Sequence, residues 1–546
     1  NSFMLLYMSW ELVGLSSYLL IGFWFEKDSA ANAGKKAFLT NRVGDIGFFI
    51  GIMLLFTAIG SFSYTDIFTG VAAGKITGTL LTLAGVGLFM GAIGKSAQFP
   101  LHIWLPDAME GPTPVSALIH AATMVAAGVF MMVRVFPILS PDALIIIAYI
   151  GGITAFFAAT IAITRTDIKQ VLAYSTVSQL GYMIMAIGTG AYTAAFFHLV
   201  IHAMFKANLF YGAGSVIYGM HHALHKLDDH KTDAQDMRNM GGLNSKMPIT
   251  YWAMVISSLA ISGVPLFSGF LSKDAILAGT LALVNRTSEH YLLVFFGFGA
   301  ALLTAFYMFR MIFLTFHNRP NKPKVFKFIK ESPTAMLIPL VVLSSLSIFI
   351  FYTLPNLNPL STQGWFSHLV EQHESLVPGY LNPSVHEIEQ SLHHSHFPAM
   401  IASLIVASLG LLLAWLMYFK KIVSADVWAR RLKPLYNLSF NRYHIDELYD
   451  RMLYQPFLRL ADWVAYIDWD VYDKKFINGF GRVTEWLAKV VGIVDYDGLD
   501  QGVVDGFGRN TQKIGNSLKK LQTGKIQNYV LYATLAIVIL LIIQML

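Results

Sequence analysis

An all-α, polytopic membrane protein is the fold class this sequence predicts, on three observations. Hydrophobic residues make up 55% and charged residues 13% of the 546 positions, an apolar share above the about 45–50% of soluble domains. Apolar stretches of about twenty residues, the length that crosses a bilayer, recur from one end of the chain to the other. Five ionisable side chains nevertheless sit inside such stretches: Glu11 in FMLLYMSWELVGLSSYLLIGFW, Lys95 in LLTLAGVGLFMGAIGKSAQ, and His198, His202 and Lys206 in AAFFHLVIHAMFKANLFYGAG. A charge at mid-bilayer depth costs about 2.5–3.5 kcal/mol even on lenient scales, and chains that keep several use them, most often to move ions or protons.

About twelve spans are expected, near 2–24, 37–59, 78–97, 112–135, 142–163, 168–188, 191–218, 248–283, 291–316, 334–353, 397–419 and 526–545. The first opens directly from Asn1, with neither an initiator Met nor a signal-peptide pattern. The chain therefore reads as lacking the beginning of a longer protein. The third and eighth spans are interrupted, by GKSAQFPLHIWLPDAMEGPTP and by ISGVPLFSGFLSKDAIL. Proline and glycine at such depth free backbone groups that only protein or a wet cavity can satisfy, as in the discontinuous helices of transporters. Five segments separate the two interruptions. An odd offset makes the broken helices cross in opposite directions, as an inverted repeat requires. Each carries a lysine beside its break, Lys95 and Lys273, the latter next to Asp274.

Loop charge sets the orientation. EKDSAANAGKK, TRTD with Lys169 behind it, HNRPNKPKVFKFIKES and the KK after span eleven are basic, whereas GTGAYT is neutral and Pro355 to His396 holds no Lys or Arg. The basic loops are placed in the cytoplasm and the Pro355–His396 stretch outside. Four regions follow: a core over 1–320, two further spans with a long external loop over 321–420, an amphipathic lateral helix on the cytoplasmic side over 421–525, and a terminal anchor over 526–546.

Composition excludes several chemistries. There are no cysteines, hence no thiolate-held iron–sulfur cluster and no disulfide, and no haem-attachment or nucleotide-cradling motif is present. The net charge of +6 is spread over loops and fits membrane-flanking lysines, with no nucleic-acid partner expected. Histidines gather in HHALHKLDDH (221–230) and HEIEQSLHHSH (386–396). Loop tracts of this kind are compositional hints only, and no metal site is assigned to them.

WELVGLSSYLLIGFW, GKSAQFPLHIWLPDAMEGPTPVSALIHAATMV, TDIKQVLAYSTVSQLGYM, FFHLVIHAMFKANLF and SGFLSKDAIL resemble, over nearly the whole chain, the large antiporter-like subunit of respiratory complex I. The same core occurs in Mrp-type cation/proton antiporters and related membrane hydrogenases. The tail beginning NRYHIDELYDRMLYQPF favours complex I, where the resemblance makes it a long helix along the membrane arm that ends in one anchor helix. The resemblance implies proton pumping in a bacterial inner membrane, powered by NADH oxidation and quinone reduction. NADH, FMN, iron–sulfur clusters and quinone would then lie in partner subunits, with no cofactor in this chain. The expected neighbours are lipid and other membrane-arm subunits, including antiporter-like ones reached by the lateral helix.

Carried over residue by residue, the resemblance makes Glu11 the transmembrane glutamate and Lys95 its partner in the broken helix, with Asp45 an acidic residue near the pair. His120 is the next relay member, followed by His198, His202 and Lys206, and Lys273 with Asp274 lie near the exit. The 198, 202, 206 spacing puts three of these on one helix face, about 6 Å apart per step. A Glu11–Lys95 pair can act as a switch, because burial disfavours an ammonium and a nearby carboxylate restores it. A swing of about three pKa units, near 4 kcal/mol, matches moving a charge against roughly 100–200 mV. The tail's charges form no chain embedded in apolar sequence, so the tail is expected to clamp neighbours without carrying protons. Its internal echo, INGFGR at 477–482 and VDGFGR at 504–509, is expected to touch equivalent spots on successive neighbours.

Overall fold

Apolar sequence of bilayer length can bury its backbone polar groups only as helix or closed barrel, and a computed structural model of the chain resolves the choice as helix. It describes residues 1–360, 364–370, 375–377 and 385–546, without the side chains of 367, 368 and 385–389, and holds no β-strand among them. Much of the expected external loop, at 361–363, 371–374 and 378–384, and the side chain of His386 lie outside the described residues. Two compact units result, Asn1–Asp446 and Glu447–Leu546.

The principal helices of the first unit are α1 (Phe3–Ile21), α2 (Asp28–Ile59), α3 (Gly78–Lys95), α4 (Thr113–Ala121), α5 (Met124–Val135), α6 (Pro141–Thr164), α7 (Ile168–Gly188), α8 (Tyr192–Lys226), α9 (Pro248–Ser262), α10 (Ser268–Thr287), α11 (Tyr291–Phe316), α12 (Thr334–Leu346), α13 (Val385–Ala414) and α14 (Lys433–Phe440). Ten helical stretches among the described residues are long and apolar enough to cross a membrane. The eighth and tenth expected spans are instead built from shorter pieces, α9 with α10 and α12.

Both expected interruptions are present. Chain 96–100 separates α3 from the short helical turns Leu101–Glu110, and 263–267 separates α9 from α10. Each break contains a non-glycine residue with left-handed backbone, Ala97 (φ 48°) and Leu266 (φ 74°), a conformation that costs roughly 1–2 kcal/mol and needs its surroundings to hold it. A further interruption, which the composition did not announce, falls at Ala122–Thr123 between α4 and α5, one turn beyond His120.

Close approach of helices through glycine fixes the geometry of the core. A Cβ on Gly44 would lie 2.7 Å from the Met90 carbonyl oxygen, and one on Gly51 2.6 Å from the Leu88 nitrogen, so α2 and α3 touch backbone to backbone. Helices α6 and α7 meet likewise at Gly151, Gly181 and Gly188. Helix α7 is buried at every residue but Gln170, the centre of the bundle.

The first unit runs past the expected boundary at 421, because 433–446 is docked onto the core. Ser439 bonds the Thr164 hydroxyl at 3.0 Å and the Thr160 carbonyl at 2.8 Å, and the Tyr443 hydroxyl meets Thr160 at 2.8 Å. Arg165 of the TRTD loop is buried and donates to the Phe440 carbonyl. Arg442, Tyr443 and His444 are three consecutive left-handed residues (φ 54°, 57° and 54°). Lys36 and Arg442 clasp Asp107 and Asp446 in a four-residue ion cluster, with separations of 2.6–3.3 Å.

The second unit is a helical run over 447–521 followed by α15 (Ile526–Met545). No residue of the run is buried apart from partial burial at scattered positions. Three parts of it are π-helix: Asp450–Tyr454, Ile467–Ile477 and Ile493–Val504.

Candidate functional site

The buried charges form three groups. The first sits where α3 ends. Lys95 is its last residue, where the partial negative charge of a helix C-terminus favours a cation. The ammonium is fully buried and lies 3.2 Å from Asp45 Oδ2, and Trp10 Nε1 donates to Asp45 Oδ1 at 2.8 Å. The glycine contacts that bring α2 against α3 make this pair reachable. Helix α1 also contributes an absent side chain, since a Cβ on Gly14 would stand 2.8 Å from Lys95 Nζ. Glu11 does not pair with Lys95, contrary to the expected switch. It forms an ion pair with Arg42, one turn before Asp45 on α2, and remains within electrostatic reach of both Asp45 and Lys95. The reason is geometric: the carboxylate one turn along α2 is packed against α3, whereas Glu11 stays part-exposed beside a guanidinium.

The second group lines one face of α8. Lys206 Nζ donates to Ser175 Oγ at 2.9 Å and lies 3.4 Å from the Leu172 carbonyl, both on α7; Tyr307 of α11 closes on the same hydroxyl at 3.0 Å. No carboxylate pairs with Lys206 among the described residues. His202 follows, its ring 6.3 Å from that of His198 and facing the Ala121 carbonyl without closing an ordinary hydrogen bond. His120, at the end of α4, is fully buried against Phe210, ring centroids 5.0 Å apart. Neither ring nitrogen of His120 has a protein partner among the described residues. Buried polar atoms are nearly always partnered, by protein or by ordered water.

The third group bridges α8, α10 and α13. His198 Nδ1 lies 2.7 Å from Ser272 Oγ, and its Nε2 lies 3.1 Å from Gln179 Oε1. Ser272 precedes Lys273, whose Nζ reaches back over the break to the Ile261 carbonyl at 3.3 Å and sits 5.1 Å from the Tyr182 ring centre. Lys273 thus places its ammonium against the C-terminal end of α9, as Lys95 does at the end of α3, although one lysine precedes its break and the other follows it. Asp274 is turned away, toward His396 and Ser403 of α13.

All nine residues singled out in the sequence are thus located. Asp45 with Lys95 is a direct pair; Lys206, His202 and His198 share one face, as their spacing requires; His198 reaches the segment holding Lys273 and Asp274. Sequence reasoning did not name Arg42, Trp10, Gln179, Ser175, Ser272, Tyr307 or His396. Arg42 and Trp10 carried a signal, standing one turn from Asp45 and next to Glu11. The others are polar residues of ordinary kind, brought in by tertiary packing alone. Lys169, read as a loop charge, is buried and donates to the Met109 and Gly111 carbonyls at 2.7 and 3.2 Å, capping the segment that follows the first break. No group of three or more His, Asp or Glu residues able to hold a metal occurs among the described residues.

Residues 1–311 match the family model described as NADH:quinone oxidoreductase/Mrp antiporter, TM. NAD(P)H-quinone oxidoreductase chain 5 of Synechocystis sp. is 42% identical over 524 residues, covering 88% of this chain and 73% of that protein. NADH-quinone oxidoreductase subunit L of Neisseria meningitidis serogroup B is 37% identical, covering 99% of this chain and 78% of that protein. The corresponding subunit of Rickettsia bellii is 39% identical, covering 99% and 77%. Among solved structures, the Mrp complex from Dietzia sp. has the same fold, with a TM-score of 0.64 at 23% identity over 91% of this chain and 50% of that one.

Proposed function

The chain belongs to the NADH:quinone oxidoreductase/Mrp antiporter transmembrane family, and from that premise we propose that it moves protons through its Asp45–Lys95, Lys206–His202–His198 and Lys273–Asp274 groups as a membrane-arm subunit of an NADH:quinone oxidoreductase. The observation that carries the reading is burial. Lys95, His120, His198, His202 and Lys206 are all 0% exposed and Asp45, Lys273 and Asp274 at most 3%, yet among the described residues Lys95 alone of the three lysines Lys95, Lys206 and Lys273 has a direct countercharge. Ammonium groups in such surroundings persist where they give up and regain protons.

The switch is the Asp45–Lys95 pair. Closing it holds the proton on Lys95; separating it leaves an uncompensated buried charge, which breaking a buried pair makes unfavourable by about 3–5 kcal/mol, and the ammonium sheds its proton instead. Glu11 with Arg42 sets the field around that pair. Water at the unpartnered nitrogens of His120 and His202 completes the path between Lys95 and Lys206. Redox energy comes from partner subunits that hold NADH, FMN, iron–sulfur clusters and quinone, and this chain, without cysteine, acts as translocase. Loop charge sets its orientation, and bacterial relatives named NADH-quinone oxidoreductase subunit L support a bacterial inner membrane as its location. A secondary Mrp-type antiporter is the less favoured reading, since relatives at 37–43% identity carry quinone oxidoreductase names.

The second unit is proposed to clamp neighbouring antiporter-like subunits. At about 100° per residue, 27 residues of α-helix would put the two GFGR echoes on opposite faces. The 12 residues of π-helix at Ile493–Val504 turn through only about 82° each, because i→i+5 bonding takes more residues per turn. The rotation from Phe480 to Phe507 then falls to roughly seven whole turns, and both echoes share one face.

The test is the full complex in proteoliposomes, scored as protons moved per electron pair. Lys95→Ala and Lys206→Ala are expected to lower that ratio markedly in assembled complex. Wild-type ratios in both would end the relay reading.

A further inference from the structure

One buried carboxylate of the relay has a partner that the relay as read does not include. Asp274, 2% exposed, points from α10 to α13, where its Oδ2 lies 3.0 Å from His396 Nε2 and its Oδ1 accepts from Ser403 Oγ at 3.4 Å. Residues 396 and 403 stand two turns apart on one face of α13, and Asn285 of α10 meets Ser395 at 3.3 Å, so the two helices are pinned at this point. The burial changes sharply across the pair. Asp274 is enclosed, whereas the His396 side chain is 34% exposed.

Loop charge puts His396 at the outer end of its span, as the last residue of the stretch 355–396 that carries no Lys or Arg. The series Lys206, His202, His198, Ser272–Asp274 climbs α8 and then α10 toward that same outer end. Its last member before His396 is enclosed by protein, whereas His396 is part-exposed.

We propose that His396 is the terminal proton carrier of this subunit, taking the proton from Asp274 and releasing it to the outer aqueous phase. This rests on the relay reading above. The step conserves charge: the Asp274 carboxyl O–H bond breaks as His396 Nε2–H forms, leaving a carboxylate and an imidazolium, and the imidazolium then passes one proton to water and returns to neutral. The two atoms stand 3.0 Å apart without closing an aligned hydrogen bond in this arrangement; once the ring turns into line, the contact serves both states, since the carboxylic acid donates to a neutral ring and the imidazolium donates to the carboxylate. An imidazole is suited to this place because its unperturbed pKa of about 6.5 lets it both accept and release near neutral pH. A purely structural partner needs only to donate a hydrogen bond, which glutamine also does.

That difference sets the experiment. The whole complex carrying His396→Gln, His396→Ala or Lys273→Ala is reconstituted in vesicles, assembly is checked on native gels, and protons released per electron pair are measured. The expected result is that His396→Gln loses as much of the proton yield as Lys273→Ala, with a slowed rise of the proton gradient. A wild-type yield in His396→Gln beside a lowered yield in Lys273→Ala overturns the exit role and leaves the relay standing. A wild-type yield in Lys273→Ala overturns the relay and the exit together. Where His396→Gln does not assemble, His396→Asn takes its place under the same criteria.

Discussion

Lys95 is held by Asp45, 3.2 Å away and fully buried, and not by Glu11, which is occupied by Arg42 on the same helix as Asp45. The two carboxylates therefore have separable roles. In the proposed switch, Asp45 acts on Lys95 by direct contact and Glu11 through space. Asp45→Asn is expected to lower protons pumped per electron pair at least as far as Lys95→Ala does, whereas Glu11→Gln is expected to lower it less. Proton yield in reconstituted complex decides the order; a larger loss in Glu11→Gln would return the switch to Glu11.

Gly14 offers a sharper probe of the same pair. Alanine is favoured over glycine in a helix interior by about 1 kcal/mol, so Gly14→Ala does not threaten α1. Its methyl group would nonetheless stand 2.8 Å from Lys95 Nζ and must push the ammonium off its seat. Full assembly with a reduced proton yield is expected. An unchanged yield would mean that Lys95 tolerates displacement and that the 3.2 Å contact is not tuned.

The expected spans, both breaks and the one-face arrangement of residues 198, 202 and 206 were legible because each rests on local rules: apolar length, proline and glycine at depth, and helical spacing. The partner of Lys95 was not, because it depends on which turn of α2 the glycines at 44 and 51 press against α3. His396 was hidden in a histidine-rich tract that composition marks only as a loop feature. The interruption after His120 was missed for a similar reason, since HAATMV contains neither proline nor glycine. Lys169 and Arg165 looked like loop charges because their burial comes from carbonyls 58 or more residues distant in sequence.

Asp446 has become more than a solvated charge. Burial pushes its carboxyl up, but Lys36 and Arg442 outweigh this and hold it below the ordinary carboxylate range. A depressed carboxyl stabilises the folded state fully above its ordinary value of about 3.9, and that contribution is lost as pH falls through the lowered value. Docking of 433–446 is thus expected to be constant from pH 7 to about 5 and to loosen only in stronger acid. Asp446→Ala should remove about 1.5–3 kcal/mol, the worth of hydrogen bonds to charged groups, and raise hydrogen exchange of 433–446 by roughly ten- to hundred-fold at pH 7. Exchange equal to wild type would show that the Ser439 and Tyr443 contacts hold this segment without the ion cluster.

Two truncations separate docking from clamping. Ending the chain after Asp446 leaves the first unit whole: Lys36, Asp107, Arg442 and Asp446 keep their cluster, and Ser439 and Tyr443 keep Thr160 and Thr164. Ending it after Phe419 removes those contacts as well and leaves Arg165 buried with no Phe440 carbonyl to receive it, a lost partner that costs several tenths to a few kcal/mol for each group concerned. Both shortened chains lack the helix over 447–521 and its anchor, so both should fail to hold neighbouring subunits. Only the shorter one should also lose thermal stability as an isolated, detergent-solubilised subunit. Equal melting temperatures for the two would show that 420–446 adds nothing to the core, and full assembly of the chain ending at Asp446, with normal proton yield, would remove the clamp role from the second unit.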